Sequence, residues 1–187
     1  MNRGRAEIQS TAEKLLRSAG IGTCFKPDLK HIAHHLNLEI VQDFKSGRSF
    51  LSGLLLNGNE NDRAAGRLDR TIILGINHDD REIRFATAYQ LANYVLHGDA
   101  ATRYESQLTS LGVTDPDDDG IRLANAILMD ANLFVENFRK ALKGVPSEIA
   151  VCKVLGGKFN APVYSVEQRV DELELQYKFK QKNKQEF

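Results

Sequence analysis

Apolar residues recur at helical spacing at the start of the chain. Ile8, Ala12, Leu15 and Leu16 fall on one face, which predicts an amphipathic helix from about Ala6 to Ser18. Gly20 and Gly22 end it, and Pro27 opens a second helix that turns Leu29, Ile32, Ala33 and Leu36 inward. The pattern then changes. Leu38-Glu39-Ile40-Val41 reads as a short strand and residues 50–56, Phe-Leu-Ser-Gly-Leu-Leu-Leu, as a second. Residues 57–69 are rich in Gly, Asn and Arg and are expected to form an exposed loop. Thr71 to Ile76 is almost continuously apolar, which predicts a third strand, central or buried on both faces.

A long helix is expected from about Asp80 to His97, with Phe85, Ala88, Ala92 and Val95 or Leu96 as its core stripe. A polar, acidic loop follows. Further helices are expected over about Gly120–Met129 and Asn132–Lys143. Pro146 opens a new unit, and residues 147–175 read as short helices divided around Gly156-Gly157 and again near Pro162. The stretch from residue 177 to 187 is polar and lysine-rich, a basic tail expected to fray. The elements together predict an α+β fold, with helices packed on a small three-stranded sheet.

Composition narrows the picture modestly. The chain has 187 residues, enough for one domain with a small appendage. Lys plus Arg equal Asp plus Glu at 25 each, so no net field draws it to nucleic acid or acidic lipid. No apolar run approaches the roughly 20 residues that cross a bilayer, and the first residues lack the apolar stretch of a secretory signal. Cys24 and Cys152 have no Cys or His partner at metal-ligand spacing, so both are expected to be reduced thiols in a cytoplasmic protein.

The chemistry lies in residues 84–97, Arg-Phe-Ala-Thr-Ala-Tyr-Gln-Leu-Ala-Asn-Tyr-Val-Leu-His. A hydrolytic H-E-x-x-H helix places two imidazoles at i and i+4 and a glutamate base beside the first. Here those places hold Tyr89, Gln90 and Asn93. The surrounding string resembles the R-F-T-L-A-H-E-L-G-H-Y-L-L-H segment of the ImmA/IrrE family of zinc metallopeptidases, through Arg84-Phe85, Ala88, Leu91, Tyr94, Leu96 and His97. Residues 119–130, with Leu123-Ala124-Asn125-Ala126-Ile127-Leu128-Met129, resemble that family's E-A-N-x-F-A-A-x-L-L-M-P string, which sets Asp119 where the third zinc ligand, a glutamate, would stand. Leu29 to Ile40 resembles the L-x-x-I-A-x-x-L-G-I-x-V segment, and Ser52-Gly53 with its following strand and the strand end at Ile73–Asn77 also fit. Phe159 to Val170 resembles the F-x-V-S-x-x-A-V-x-x-R-L pattern, with an insertion.

The resemblance implies a zincin-like core over residues 1–145, a helix-turn-helix-like helical subdomain over 146–176 and a basic tail over 177–187. It also implies dealings with helix-turn-helix repressors of phages and mobile elements. The departures fall on the chemistry: both histidine ligands and the base are replaced, and the third ligand is shortened. Tyr89, Gln90, Asn93 and Asp119 are therefore expected to form a buried, hydrogen-bonded polar cluster, with no metal and no cofactor.

That predicts a pseudopeptidase that binds a protein partner, a repressor or other transcription factor, as an antirepressor or immunity-type regulator. The competing readings are a DNA-binding regulator using residues 147–175 and the tail, and a hydrolase with an unusual ligand set. Glu148, Glu167, Asp171, Glu172 and Glu174 make the DNA-reading unit acidic, which disfavours the first.

Three other motifs are set aside on chemical grounds. His31 and His35 lie at i, i+4 without the glutamate of an inverted zinc motif, and are expected on a solvated face. Asp115 to Gly120 opens like a calcium loop, but position twelve is Ala126, so the acidic run is expected to cap the helix beginning near Gly120. His97 is expected at a helix C-terminus, outside the ligand set.

Overall fold

The computed structural model describes residues 3–43, 52–55, 70–75, 78–98, 104–106, 108–109, 112–113, 118–145 and 147–175. The chain is α+β. Helix α1 (Arg5–Ser18) and α2 (Leu29–His35) precede strands β1 (Glu39–Asp43), β2 (Ser52–Leu55) and β3 (Thr71–Gly75). Helix α3 (Asp80–His97) follows, then short strands β4 (Tyr104–Ser106), β5 (Leu108–Thr109) and β6 (Gly112–Val113). Four helices complete the described chain: α4 (Asp118–Leu128), α5 (Ala131–Gly144), α6 (Glu148–Phe159) and α7 (Val163–Glu172).

The main sheet has four strands in the order β1-β3-β2-β4, where three were expected. β1 runs parallel to β3, with Glu39 opposite Thr71 and Asp43 opposite Gly75. β2 lies antiparallel to β3 on its other side, and β4 adds antiparallel to β2 through Ser52–Ser106 and Leu54–Tyr104. β5 and β6 form a separate antiparallel pair. The segment expected as a wholly irregular acidic loop thus supplies three strands. They are two or three residues long and carry no period-two apolar pattern, so backbone pairing rather than side-chain burial defines them. β3, expected to be central, is internal in the sheet, and all five of its residues are buried.

Helix α3 lies against β2 and β3 and packs along α4; α4 in turn packs on α1 and α7, and α6 packs on α5 and α7. The buried apolar cluster is continuous from Ile8 to Leu175. Side chains from both sides of the boundary expected at residue 145 therefore belong to one core. Phe159 binds α6 into it, with its ring 5.3 Å from Phe25 and 5.6 Å from Phe134. Each such fully withdrawn side chain contributes about 1.5–3 kcal/mol.

Gly156-Gly157 does not divide α6, contrary to expectation. A Cβ on Gly156 would come within 2.9 Å of the Ala161 carbonyl oxygen, so this glycine permits close approach of the turn after the helix. The break falls at Asn160 instead, which caps α6 in the left-handed conformation (φ 51°, ψ 51°), and Pro162 precedes α7. The loop expected over 57–69 and the tail from 177 lie outside the described residues.

Candidate functional site

Helix α3 has the bounds its pattern predicts. Asp79 caps it by accepting from the Arg81 backbone N–H at 2.8 Å, and Gly98 (φ 58°) ends it in a conformation open to glycine. Its surroundings differ from expectation. Instead of one apolar stripe, nine consecutive residues from Phe85 to Asn93 are buried, so the middle of the helix is enclosed on every side. Tyr89 and Gln90 are 0% exposed and Asn93 1%. Neither the Nδ2 nor the Oδ1 atom of Asn93 makes a hydrogen bond among the described residues.

Asp119 lies in the first turn of α4, the helix packed along α3, and is 4% exposed. Its carboxylate is held by the N-terminal segment. The Arg3 backbone N–H donates to Oδ1 and Oδ2 at 3.1 and 3.0 Å. The Arg3 guanidinium stands 3.7 Å from Oδ2, and Arg122 donates to Oδ1 at 3.4 Å and to the Arg3 carbonyl at 2.8 Å. No hydrogen bond among the described residues joins Asp119 to Tyr89, Gln90 or Asn93. The four positions are all buried, and Asp119 takes its bonds from Arg3 and Arg122. Two arginines and a main-chain donor already satisfy the carboxylate, and side-chain amides of α3 offer weaker, uncharged bonds.

These residues do not fit zinc. A hydrolytic centre needs three good ligands and an open position for water. Gln90 and Asn93 carry amides, and the one carboxylate is neutralised by Arg3 and Arg122. Among the described residues no three His, Cys, Asp or Glu side chains converge on one point.

A second buried polar group, not foreseen in the sequence, joins α1, α4 and α7. Arg169 is 1% exposed. Its Nη1 donates to Glu172 Oε2 at 2.8 Å, its Nη2 to Gln9 Oε1 at 2.6 Å, and both Nε and Nη2 reach the Met129 carbonyl at 3.2 and 3.1 Å. One guanidinium therefore ties the end of α4 to two other helices. Beside it, Ser165 donates to Asn125 Oδ1 at 2.6 Å, and Asn125 Nδ2 points to Gln168 and Glu172, each at 3.4 Å. Burial lowers the Arg169 pKa and raises that of Glu172, against their mutual attraction. The available signal was an arginine four residues after Ser165 and between Val166 and Val170, on the buried face of an amphipathic helix.

The remaining motifs have structural roles. His31 Nε2 contacts the Ala19 carbonyl at 2.8 Å and His35 Nε2 the Ser18 hydroxyl at 3.0 Å, so this pair faces the end of α1 rather than bulk solvent alone. The spacing that suggested a metal motif instead docks α2 on α1. His97 is exposed in the last turn of α3, as expected. α4 begins at Asp118, two residues earlier than expected, and residues 115–117 of the acidic run lie outside the described residues. Both cysteines are free thiols. Burial, and then the nearby carboxylates Glu167, Glu148 and Asp171, push the Cys152 thiol up to about 11. A cleft of about 330 Å3 is lined by Arg17, Cys24, Pro27, Ile127, Asp130 and Asn132, and touches none of the four positions on α3 and α4. Among the described residues no helix is long and apolar enough to cross a membrane.

No protein-family model matches the chain, and no curated protein matches it.

Proposed function

We propose that the chain is a degenerate, catalytically inactive relative of the ImmA/IrrE metallopeptidases: a cytoplasmic regulator that works by binding a protein partner. In this reading residues 1–145 are a zincin-like core and 146–176 a helix-turn-helix-like subdomain, followed by a basic tail. The partner is a helix-turn-helix repressor or other transcription factor of a phage or mobile element, bound without cleavage in an antirepressor or immunity-type role. Sequestration of that kind needs a stable surface and no turnover.

The observation that carries the reading is the enclosure of α3. Tyr89, Gln90 and Asn93 stand where two ligands and the base would be, and each is at most 1% exposed. A scissile peptide and its attacking water need access to the metal, and a side-chain amide cannot take a proton from that water. Further support comes from the pairing of two of the resembling strings. The segment around Asn125 and Met129 meets the one around Ser165 and Arg169 through the hydrogen bonds described above. The DNA-binding alternative is opposed by the charge of α7, where Glu167, Asp171 and Glu172 share a short helix with the internal Arg169.

Metal analysis after dialysis tests the reading, together with the joint substitution Tyr89→His, Gln90→Glu, Asn93→His and Asp119→Glu. The expected result is a native protein without stoichiometric zinc, a folded variant that takes it up, and a co-purifying repressor that stays full-length. Stoichiometric zinc in the native protein, or cleavage of the repressor, would overturn the reading. A folded variant that binds no zinc would show that the register is misplaced.

A further inference from the structure

Helices α5 and α6 pack as a pair and carry an excess of cations. Residues 131–159 carry five cations, Arg139, Lys140, Lys143, Lys153 and Lys158, against only Glu136 and Glu148. All five cations are exposed. The two helices are joined at the seam by Lys158 Nζ, which donates to Asn137 Oδ1 at 2.7 Å. Glu136 is occupied by Lys140, whose hydrogen bond and charge, with the charge of Lys158, hold its carboxyl below the usual carboxylate range. Glu136 and Lys140 thus offset one another, which leaves Arg139, Lys143, Lys153 and Lys158 against Glu148 on the pair.

The outward face of α6 also carries aliphatic side chains on its two flanks. Ile149 is 58% exposed and Val154 39%, two of the four large hydrophobic residues that stand exposed among the described residues. Helical spacing places Ile149, Lys153 and Gly157 in one row and Ala150 and Val154 in the next. Gly157 and Ala150 lie near the centre of the outward face, and a Cβ built on Gly157 meets nothing within 4 Å. The small residues Ala150 and Gly157 thus form a low strip between Ile149 on one side and Val154 on the other, a shape into which the ridge of another helix packs.

Resting on the reading of the protein as a binder, we propose that the outer face of α5 and α6 is its docking surface, and that the occupant is an acidic amphipathic helix of the protein partner. Charge complementarity selects the acidic side chains, which meet the lysines at the rim. Ile149 and Val154, on either side of Ala150 and Gly157, select an apolar stripe and supply the anchors. A nucleic-acid backbone satisfies the first condition only. Phosphates gain nothing from Ile149 and Val154, and their contacts are made by charged groups, hydroxyls and amides.

The test uses the full chain and fluorescence anisotropy with three probes: a labelled amphipathic helical peptide of Leu and Glu, a peptide of equal charge with each Leu replaced by Ser, and a random-sequence DNA duplex. The native protein should bind the Leu-containing peptide about tenfold or more tightly than the Ser-containing one. Ile149→Ser with Val154→Ser should abolish that difference, and Lys140→Glu with Lys153→Glu should weaken both peptides about tenfold. Unchanged thermal melting would show that the variants remain folded. Equal affinity for the two peptides, or binding insensitive to both pairs of substitutions, would overturn the proposal. DNA binding lost with the lysine pair but unaffected by the aliphatic pair, and tighter than either peptide, would assign the face to nucleic acid instead. Zinc content and repressor integrity report separately on the inactive-binder reading, so failure of the peptide with those two results intact removes the surface alone.

Discussion

Asn93 on α3 and the polar group that joins α1, α4 and α7 are both buried, and they are bonded in opposite ways. Toward α7, the Arg169 side chain has three partners, the Asn125 amide donates and accepts, and Ser165 and Glu172 close the network. Toward α3, Asn93 is as deeply buried, yet its amide makes no hydrogen bond among the described residues. A buried polar group costs several kcal/mol of desolvation unless its bonds are replaced. The satisfied region therefore behaves as a structural knot. On α3, Asn93 is a buried amide without a hydrogen bond among the described residues.

The largest test of this contrast is at Arg169. Arg169→Leu leaves Glu172 buried without its counter-charge and frees the Met129 carbonyl at the end of α4. Breaking one side of a buried pair costs about 3–5 kcal/mol. Urea unfolding should show a loss of that size, with Gln9→Ala much milder because the guanidinium keeps Glu172 and Met129. A loss under about 1 kcal/mol at Arg169 would mean that the knot does not hold the helices and that apolar packing alone suffices.

A smaller effect is expected at Cys152, where burial is not matched by any partner for a charge. Its folded pKa is raised, from an ordinary 9.0 to about 11, so the folded state holds the proton more tightly than the unfolded chain. That contribution is complete below pH 9 and is lost as pH rises through 11. Stability should fall by about 2–3 kcal/mol across this window on account of this thiol. Burial and the hydrogen bond to Glu82 raise the pKa of Tyr164 as well, so it adds to the fall in the same direction. Cys152→Ala should have a shallower decline between pH 9 and 11 than the native chain, whatever its stability at neutral pH. Parallel declines would show that the thiolate is tolerated at this position.

Much of the fold was legible because apolar segments coincide with signals at their ends. α1, α3 and β3 fall within a residue or so of their expected limits, since each has a strong apolar pattern and a capping residue or glycine at an end. β4, β5 and β6 were not legible, because strands this short are defined by the neighbour they pair with. Gly156 misled because glycine served close approach rather than a turn. The four positions on α3 and α4 were correctly expected to be buried, but the partner of Asp119 was not legible. Asp119 is held by Arg3, which is 116 residues away in sequence, and no local spacing encodes such a partner. Arg169 was missed for the complementary reason: an arginine on an apolar face reads as an exception until the carbonyl and carboxylate that receive it are known.

The smallest predicted effect separates the two regions most directly. Leu has nearly the shape of Asn and no polar atoms, so Asn93→Leu removes an unpaired amide without removing a hydrogen bond. It should be neutral or stabilising by about 1 kcal/mol. Asn125→Leu should instead cost about 1–3 kcal/mol, because the hydroxyl of Ser165 loses its acceptor and Gln168 and Glu172 lose a donor. Measured side by side by chemical denaturation, the two substitutions should move in opposite directions or differ by at least the larger cost. If Asn93→Leu destabilises as much as Asn125→Leu, Asn93 holds a polar partner in solution, and the centre of α3 is a second knot.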